Sequence, residues 1–90
     1  MANELTFESG LVAIIRTKTA DEARAAATAL ISAGVDVIEF TTTTPAVFDL
    51  IEEFASNSVN TGVHVGLGTA MNRSHVLSGK DAGAKFVISP

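Results

Sequence analysis

Apolar residues gather in four short runs, separated by stretches in which they recur every three or four positions. The runs are Leu11-Val12-Ala13-Ile14-Ile15, Val35-Asp36-Val37-Ile38-Glu39-Phe40, Val63-His64-Val65-Gly66-Leu67 and Lys85-Phe86-Val87-Ile88-Ser89. Runs that are apolar on nearly every residue and rich in β-branched side chains read as parallel strands covered on both faces.

Three helices lie between the runs. Thr19-Ala20-Asp21-Glu22 predicts a capping box, in which the Thr19 hydroxyl and the Glu22 carboxylate satisfy each other's backbone N–H groups. Ala23, Ala26, Ala27, Leu30 and Ile31 form the buried stripe that follows, and Gly34 is placed to end the helix in the left-handed conformation. The second helix reads with Thr44 as N-cap and Pro45 at its first position. Val47, Leu50, Ile51 and Phe54 fall at i, i+3, i+4 and i+7 along it. The third begins near Asn72, carries Val76, Leu77 and Ala82, and stops at Gly83. Residues 56–62 read as a polar loop without chemistry.

The order β-α-β-α-β-α-β, with right-handed crossovers, predicts an α/β fold with a parallel sheet and helices outside it. Ala33-Gly34 and Ala82-Gly83 each close a helix just ahead of a buried strand, 49 residues apart. That offset spans two βα units, the periodicity of a TIM (β/α)8 barrel, and an open doubly wound sheet is compatible with it too. Both architectures bind ligands at the C-terminal ends of their strands.

Ninety residues make one small domain, with positions 1–9 as an N-terminal extension. An apolar fraction of 47% with only 18% charged residues rules out a disordered chain. A net charge of −4, from six basic and ten acidic residues, offers no footprint for nucleic acid or an anionic membrane. No apolar run approaches the roughly 20 residues of a membrane span, and the acidic N-terminus is unlike a signal peptide. The absence of Cys excludes disulfides, thiolate metal sites and cysteine nucleophiles, and fits a cytoplasmic setting. No pair of candidate ligands has metal spacing, and no metal is expected.

The candidate chemistry clusters at the strand ends. Glu39, between Ile38 and Phe40, is a carboxylate on an apolar strand, where desolvation raises its pKa toward acid/base use; the alternatives are escape to solvent or a salt bridge to Arg16. Arg16 ends the first strand on the same face and could clamp a carboxylate or phosphate. Hydroxyls of residues 41–43 lie on the next strand-to-helix turn. Gly66 and Gly68 either admit a ligand close to the backbone or permit tight packing, and Thr69 adds a hydroxyl. His64 reads as a packed structural residue and His75 as lying on an outer helix face.

Taken together, Val12-Ala13-Ile14-Ile15-Arg16, the segment from Ala33 to Thr41, Gly66-Leu67-Gly68-Thr69 and the segment from Ala82 to Pro90 resemble the first half of the 2-keto-3-deoxy-6-phosphogluconate/4-hydroxy-2-oxoglutarate (KDPG/KHG) aldolase family. The resemblance runs from about Gly10 to Pro90. It implies about half of a (β/α)8 barrel, trimeric when complete, that acts on a keto acid or sugar acid phosphate. The activity it implies is a class I aldolase reaction: a lysine forms a Schiff base with a 2-keto-3-deoxy sugar acid, and cleavage yields pyruvate and an aldehyde. No metal or organic cofactor is implied. Glu39 falls on the family's proton-shuttling glutamate, Thr69 on the threonine that helps hold the pyruvate carboxylate, and Pro90 on a proline lining the same pocket.

Two departures stand out. The family commonly reads E-V-T-L-R-T where this chain has Glu39-Phe40-Thr41-Thr42-Thr43-Thr44. Thr43 thus replaces the arginine that grips the substrate carboxylate, and either Arg16 compensates or the substrate differs. The family's Schiff-base lysine belongs to a sixth strand beyond these residues. Lys85, at the start of the fourth run, and Lys80, on the third helix, are unsuited by position to replace it; Lys18 is on the right face but in an exposed loop that leaves it a poor amine nucleophile. The leading expectation is a segment of such an aldolase, inactive by itself. The alternative is a non-catalytic half-barrel or flavodoxin-like module for small-anion binding or assembly.

Overall fold

The computed structural model describes residues 10–57 and 62–90, so the proposed extension and the centre of the polar loop lie outside it. Six elements follow in order: β1 (Val12–Ile15), α1 (Ala20–Ser32), β2 (Val37–Thr41), α2 (Val47–Ser56), β3 (His64–Gly68) and α3 (Arg73–Ala82). The strands form a parallel sheet in the order β1-β2-β3. Val12 pairs with Val37 and Val37 with His64, so Ile14, Glu39 and Gly66 share one rung.

Period-two alternation divides the strand side chains between two faces. Ile15, Ile38, Phe40, Val65 and Leu67 join the buried core with Ala23 and Ala27 of α1 and Val47, Leu50 and Ile51 of α2. Phe40 meets Phe54 of α2 with ring centroids 5.4 Å apart. Gly79 brings α3 so close to the sheet that a Cβ there would press on Leu67. The opposite face carries Val12 and Ile14 from β1, Val37, Glu39 and Thr41 from β2, and Gly66 and Gly68 from β3. It is uneven: Val37 and Thr41 are buried, whereas Val12 is 43% and Ile14 63% exposed. Helices on one side of a parallel sheet, with Glu39 and Thr41 among apolar residues and glycines on the opposite face, make this a partial TIM-barrel α/β unit.

The helix ends repay close reading. Thr19 caps α1 by accepting from the Glu22 N–H, but the Glu22 carboxylate takes the Thr19 hydroxyl (3.0 Å), so the reciprocal half of the expected capping box is replaced by a side-chain bond. Gly34 and Gly83 both adopt φ of +101°, as their helix-ending positions require. Asn72 caps α3 by accepting from the His75 N–H.

Three expectations need correction. The second helix does not start at Thr44 and Pro45. It starts at Val47 after Ala46, a left-handed N-cap with no side-chain bond. Thr44 is turned inward instead, where its hydroxyl accepts the Thr17 N–H (3.5 Å), so it is unavailable as a cap. Val76 and Leu77 do not form a buried stripe: they are 42% and 47% exposed, and the residue that α3 buries is Gly79. The fourth apolar run is not a full strand. It lies parallel to β3 through Lys85 N–H to Val65 O, Leu67 N–H to Phe86 O and Ile88 N–H to Leu67 O, but only Leu67 and Val87 form a bridge. Ile88 beyond it is 47% exposed. No described helix is long and apolar enough to cross a membrane.

Candidate active site

Parallel pairing aligns the C-terminal ends of β1, β2 and β3 at one edge of the sheet, and the candidate residues meet there. Glu39 lies on the open face with only 5% of its surface exposed. Burial pushes its pKa up, and the Arg16 charge pulls it back by less. No described residue donates a hydrogen bond to its carboxylate, whose oxygens are not fully enclosed. The space it fills is supplied by Gly68. An ideal Cβ at that position would sit 2.5 Å from Glu39 Cδ and 2.9 Å from Cγ. Gly66 makes equivalent room for the Phe86 ring. The two glycines therefore serve tight packing, the second of the two roles open to them, and one of the packed groups is the acid/base candidate itself. Glycines at i and i+2 of a strand clear one face, so the sequence carried that signal; the identity of the occupants it did not.

Arg16 follows β1 and reaches across the sheet edge. Its Nη2 donates to Thr69 Oγ1 at 3.3 Å. Among the described residues the ion pairs are those of Arg24, with Asp21 and Glu53, so Arg16 and Glu39 interact through space and not as a salt bridge. Arg16 accordingly keeps donors free for a ligand.

Thr69, immediately after β3, has φ of +59°. A β-branched residue in the left-handed region carries roughly 1–3 kcal/mol of backbone strain, which persists only where its neighbours over-determine it. Those neighbours are visible. Thr42 N–H donates to Gly68 O (3.1 Å), the Thr42 hydroxyl donates to Thr69 O (2.7 Å), and Ala70 N–H donates to Ile88 O (3.0 Å). Nothing in the residue pattern foretold the Thr42 bond.

Thr43 is exposed and its hydroxyl shares a hydrogen bond with that of Thr41 (2.9 Å). With Arg16, Thr17, Lys18, Glu22 and Pro45 it lines an open cleft of about 690 Å³. The position where the expected motif has an arginine therefore faces the same cleft as Arg16. Pro90 is exposed beyond the Leu67–Val87 bridge, and no hydrogen bond ties it to the other candidates among the described residues. The structure thus joins Arg16 directly to Thr69, sets Glu39 within their field, places Thr43 at the cleft and leaves Pro90 apart.

Lys18, Lys80 and Lys85 are all exposed, and Lys85 pairs with β3 at Val65, away from the strand end. His64 is partly buried at the start of β3, and His75 Nδ1 accepts the Met71 N–H (3.0 Å). No group of three or more potential ligands able to hold a metal occurs among the described residues.

The model of the KDPG and KHG aldolase family matches residues 2–90. Among solved structures the chain is similar to 2-keto-3-deoxy-6-phospho-gluconate aldolase from Zymomonas mobilis ATCC 29191, at 28% identity and a TM-score of 0.74 over 88% of this chain. The match covers 37% of that protein, so the chain spans little more than a third of its length. It is also similar to a cube-shaped, highly porous protein cage designed by fusing symmetric oligomeric domains, at 28% identity and a TM-score of 0.75, over 88% of this chain and 29% of that one. No curated protein matches.

Proposed function

The chain belongs to the KDPG and KHG aldolase family, and on that premise we propose that it supplies the proton-transfer and anion-binding part of a class I aldol cleavage. The substrate is a 2-keto-3-deoxy sugar acid or its phosphate, the products are pyruvate and an aldehyde, and the amine nucleophile comes from outside these ninety residues. The observation that carries this reading is Glu39: a carboxylate on a parallel strand, 5% exposed, with its pKa raised by burial and no hydrogen bond among the described residues to occupy it. A general base needs free lone pairs, and a raised pKa brings its acid and base forms closer to coexistence at neutral pH.

The chemistry follows from that placement. As a carboxylate, Glu39 takes the proton from the substrate hydroxyl. The adjacent carbon–carbon bond breaks, and the hydroxyl carbon becomes the aldehyde carbonyl. The bonding electrons pass to the keto-acid fragment, held as an imine of the external lysine. Protonation of that fragment, with Glu39 now the acid, restores the methyl group of pyruvate. Arg16 and Thr69 hold the substrate's carboxylate, the guanidinium supplying the charge that Thr43 lacks. Pro90 lines the pocket on the far side of β3. The trimeric state and the cytoplasmic setting that the family implies belong to the same reading, which calls for no cofactor.

Pyruvate release from KDPG and from 4-hydroxy-2-oxoglutarate by the full-length gene product, with borohydride trapping of the imine, tests it. Glu39→Gln should lower kcat by roughly 10²–10⁴, the usual worth of a positioned acid/base. Turnover equal to the parent would remove Glu39 from the chemistry.

A further inference from the structure

The geometry points to Thr42 as a positioning residue that holds Thr69 in its left-handed conformation and so sets the anion-binding hydroxyl of the site; this rests on the aldolase reading for what the hydroxyl binds. Where the family motif has leucine, this chain has a hydroxyl, and the structure gives that hydroxyl one partner, the Thr69 carbonyl at 2.7 Å.

The backbone explains why a side chain is needed. Regular pairing between the ends of β2 and β3 closes with Thr42 N–H on Gly68 O. At Thr69 the chain turns to φ +59°, and no backbone N–H among the described residues bonds its carbonyl. The hydroxyl of Thr42 is the next donor along and extends the pairing by one residue. Thr69 is thereby held at three points: its carbonyl by Thr42, its hydroxyl oxygen by Arg16 Nη2, and its following amide, Ala70 N–H, by Ile88 O.

This clamp has a chemical consequence. With Arg16 donating to Thr69 Oγ1, the Thr69 hydroxyl proton is directed away from the guanidinium and is free to donate. Arg16 and Thr69 then present an N–H and an O–H donor side by side, the arrangement that a carboxylate accepts with both oxygens. Relaxing Thr69 to an extended backbone would swing its Cβ through most of a half-turn and separate the two donors. Thr42 touches no reacting atom in this scheme; it acts through Thr69.

Thr42→Val keeps the β-branched shape and deletes the donor, whereas Thr42→Ser keeps the donor. In the full-length gene product, Thr42→Val should raise KM for KDPG roughly tenfold, the upper end of what one hydrogen bond supplies. Its kcat should stay within about twofold, because ground-state anion binding is what is lost. Thr42→Ser should restore KM. The ¹³Cα and ¹³Cβ shifts of Thr69 should leave left-handed values in Thr42→Val and keep them in Thr42→Ser. A Thr42→Val protein with parental Thr69 shifts, or with parental KM, overturns the proposal. If the parent protein releases no pyruvate, the aldolase reading fails, and the Thr69 shifts alone decide whether Thr42 holds that residue.

Discussion

Adding one methyl group at Gly68 should disable the site without unfolding the protein. The φ of Gly68 lies outside the left-handed region, so alanine meets no backbone penalty there. The new Cβ would overlap Glu39, reaching within 2.5 Å of Cδ. What it strikes is a flexible side chain, from the carboxylate back to Cγ, that makes no hydrogen bond among the described residues, so the whole side chain must swing away and take the carboxylate with it. Overpacking usually costs about 1–3 kcal/mol. The reduced freedom of the unfolded chain returns about 0.4–1 kcal/mol. Stability should therefore fall by at most about 2.6 kcal/mol. Activity should fall far more, because a displaced Glu39 no longer meets the substrate hydroxyl. The expected loss in kcat is roughly 10²–10⁴, like that of Glu39→Gln. The acidic limb of the kcat/KM profile should also move to lower pH, since burial is what holds the Glu39 pKa up and the displaced carboxylate enters water. The assay is pyruvate release across pH, with thermal melts on the same samples. Gly66→Ala is the control: its Cβ would strike the Phe86 ring, so it should cost stability while leaving the acidic limb in place. Parental kcat and an unmoved limb in Gly68→Ala would refute the account of how Glu39 is housed.

Other outcomes follow from the same geometry. Glu39 has a folded pKa raised above its unfolded value, so its ionisation costs stability as pH rises through the window between the two. The Tm of Glu39→Gln should therefore gain on the parent as pH rises through that window and show no such gain below the unfolded value; a pH-independent difference would argue against a buried, ionising Glu39. Arg16→Ala should raise KM for an anionic substrate more than it lowers kcat, and unchanged kinetics would leave Arg16 as a tether for Thr69 only. The ninety residues expressed by themselves should self-associate in sedimentation experiments and trap no pyruvyl adduct with borohydride. Ile14→Lys should weaken that association by charging a side chain that is 63% exposed. A compact monomer, or an adduct on Lys18, Lys80 or Lys85, would contradict the reading.

Much of the frame was legible from local chemistry. The cap at Thr19, the left-handed stop at Gly34 and the helix end at Gly83 are decided by residues within one turn, so position along the chain sufficed to find them. Thr44 and Pro45 misled because a cap is a competition. Thr44 had a second suitor in the Thr17 N–H, 27 residues away, and the helix began two residues past Pro45. Val76 and Leu77 misled because apolar spacing reports a stripe and not what covers it. At the site, Glu39, Arg16 and Thr69 stood out from residue type and strand end alone. Their relations did not, because a positive φ on threonine and a hydroxyl that reaches a displaced carbonyl leave no mark in the order of residues.

The order of the strands also shapes how this chain can fold. Each strand pairs with the next in sequence, and partners are separated by nearly equal distances: 25 residues from Val12 to Val37, and 27 from Val37 to His64. Each docking step closes a loop of similar length and meets a similar entropic barrier, on the order of (3/2)RT ln n for n residues. Among the described strands, no step waits for a partner beyond the next one in sequence. On a ribosome adding about 5–20 residues per second, a βα unit emerges every one to five seconds. That is long compared with helix formation and loop closure. The sheet can therefore grow from β1 onward while synthesis continues, with each new strand covering the edge the previous one left open.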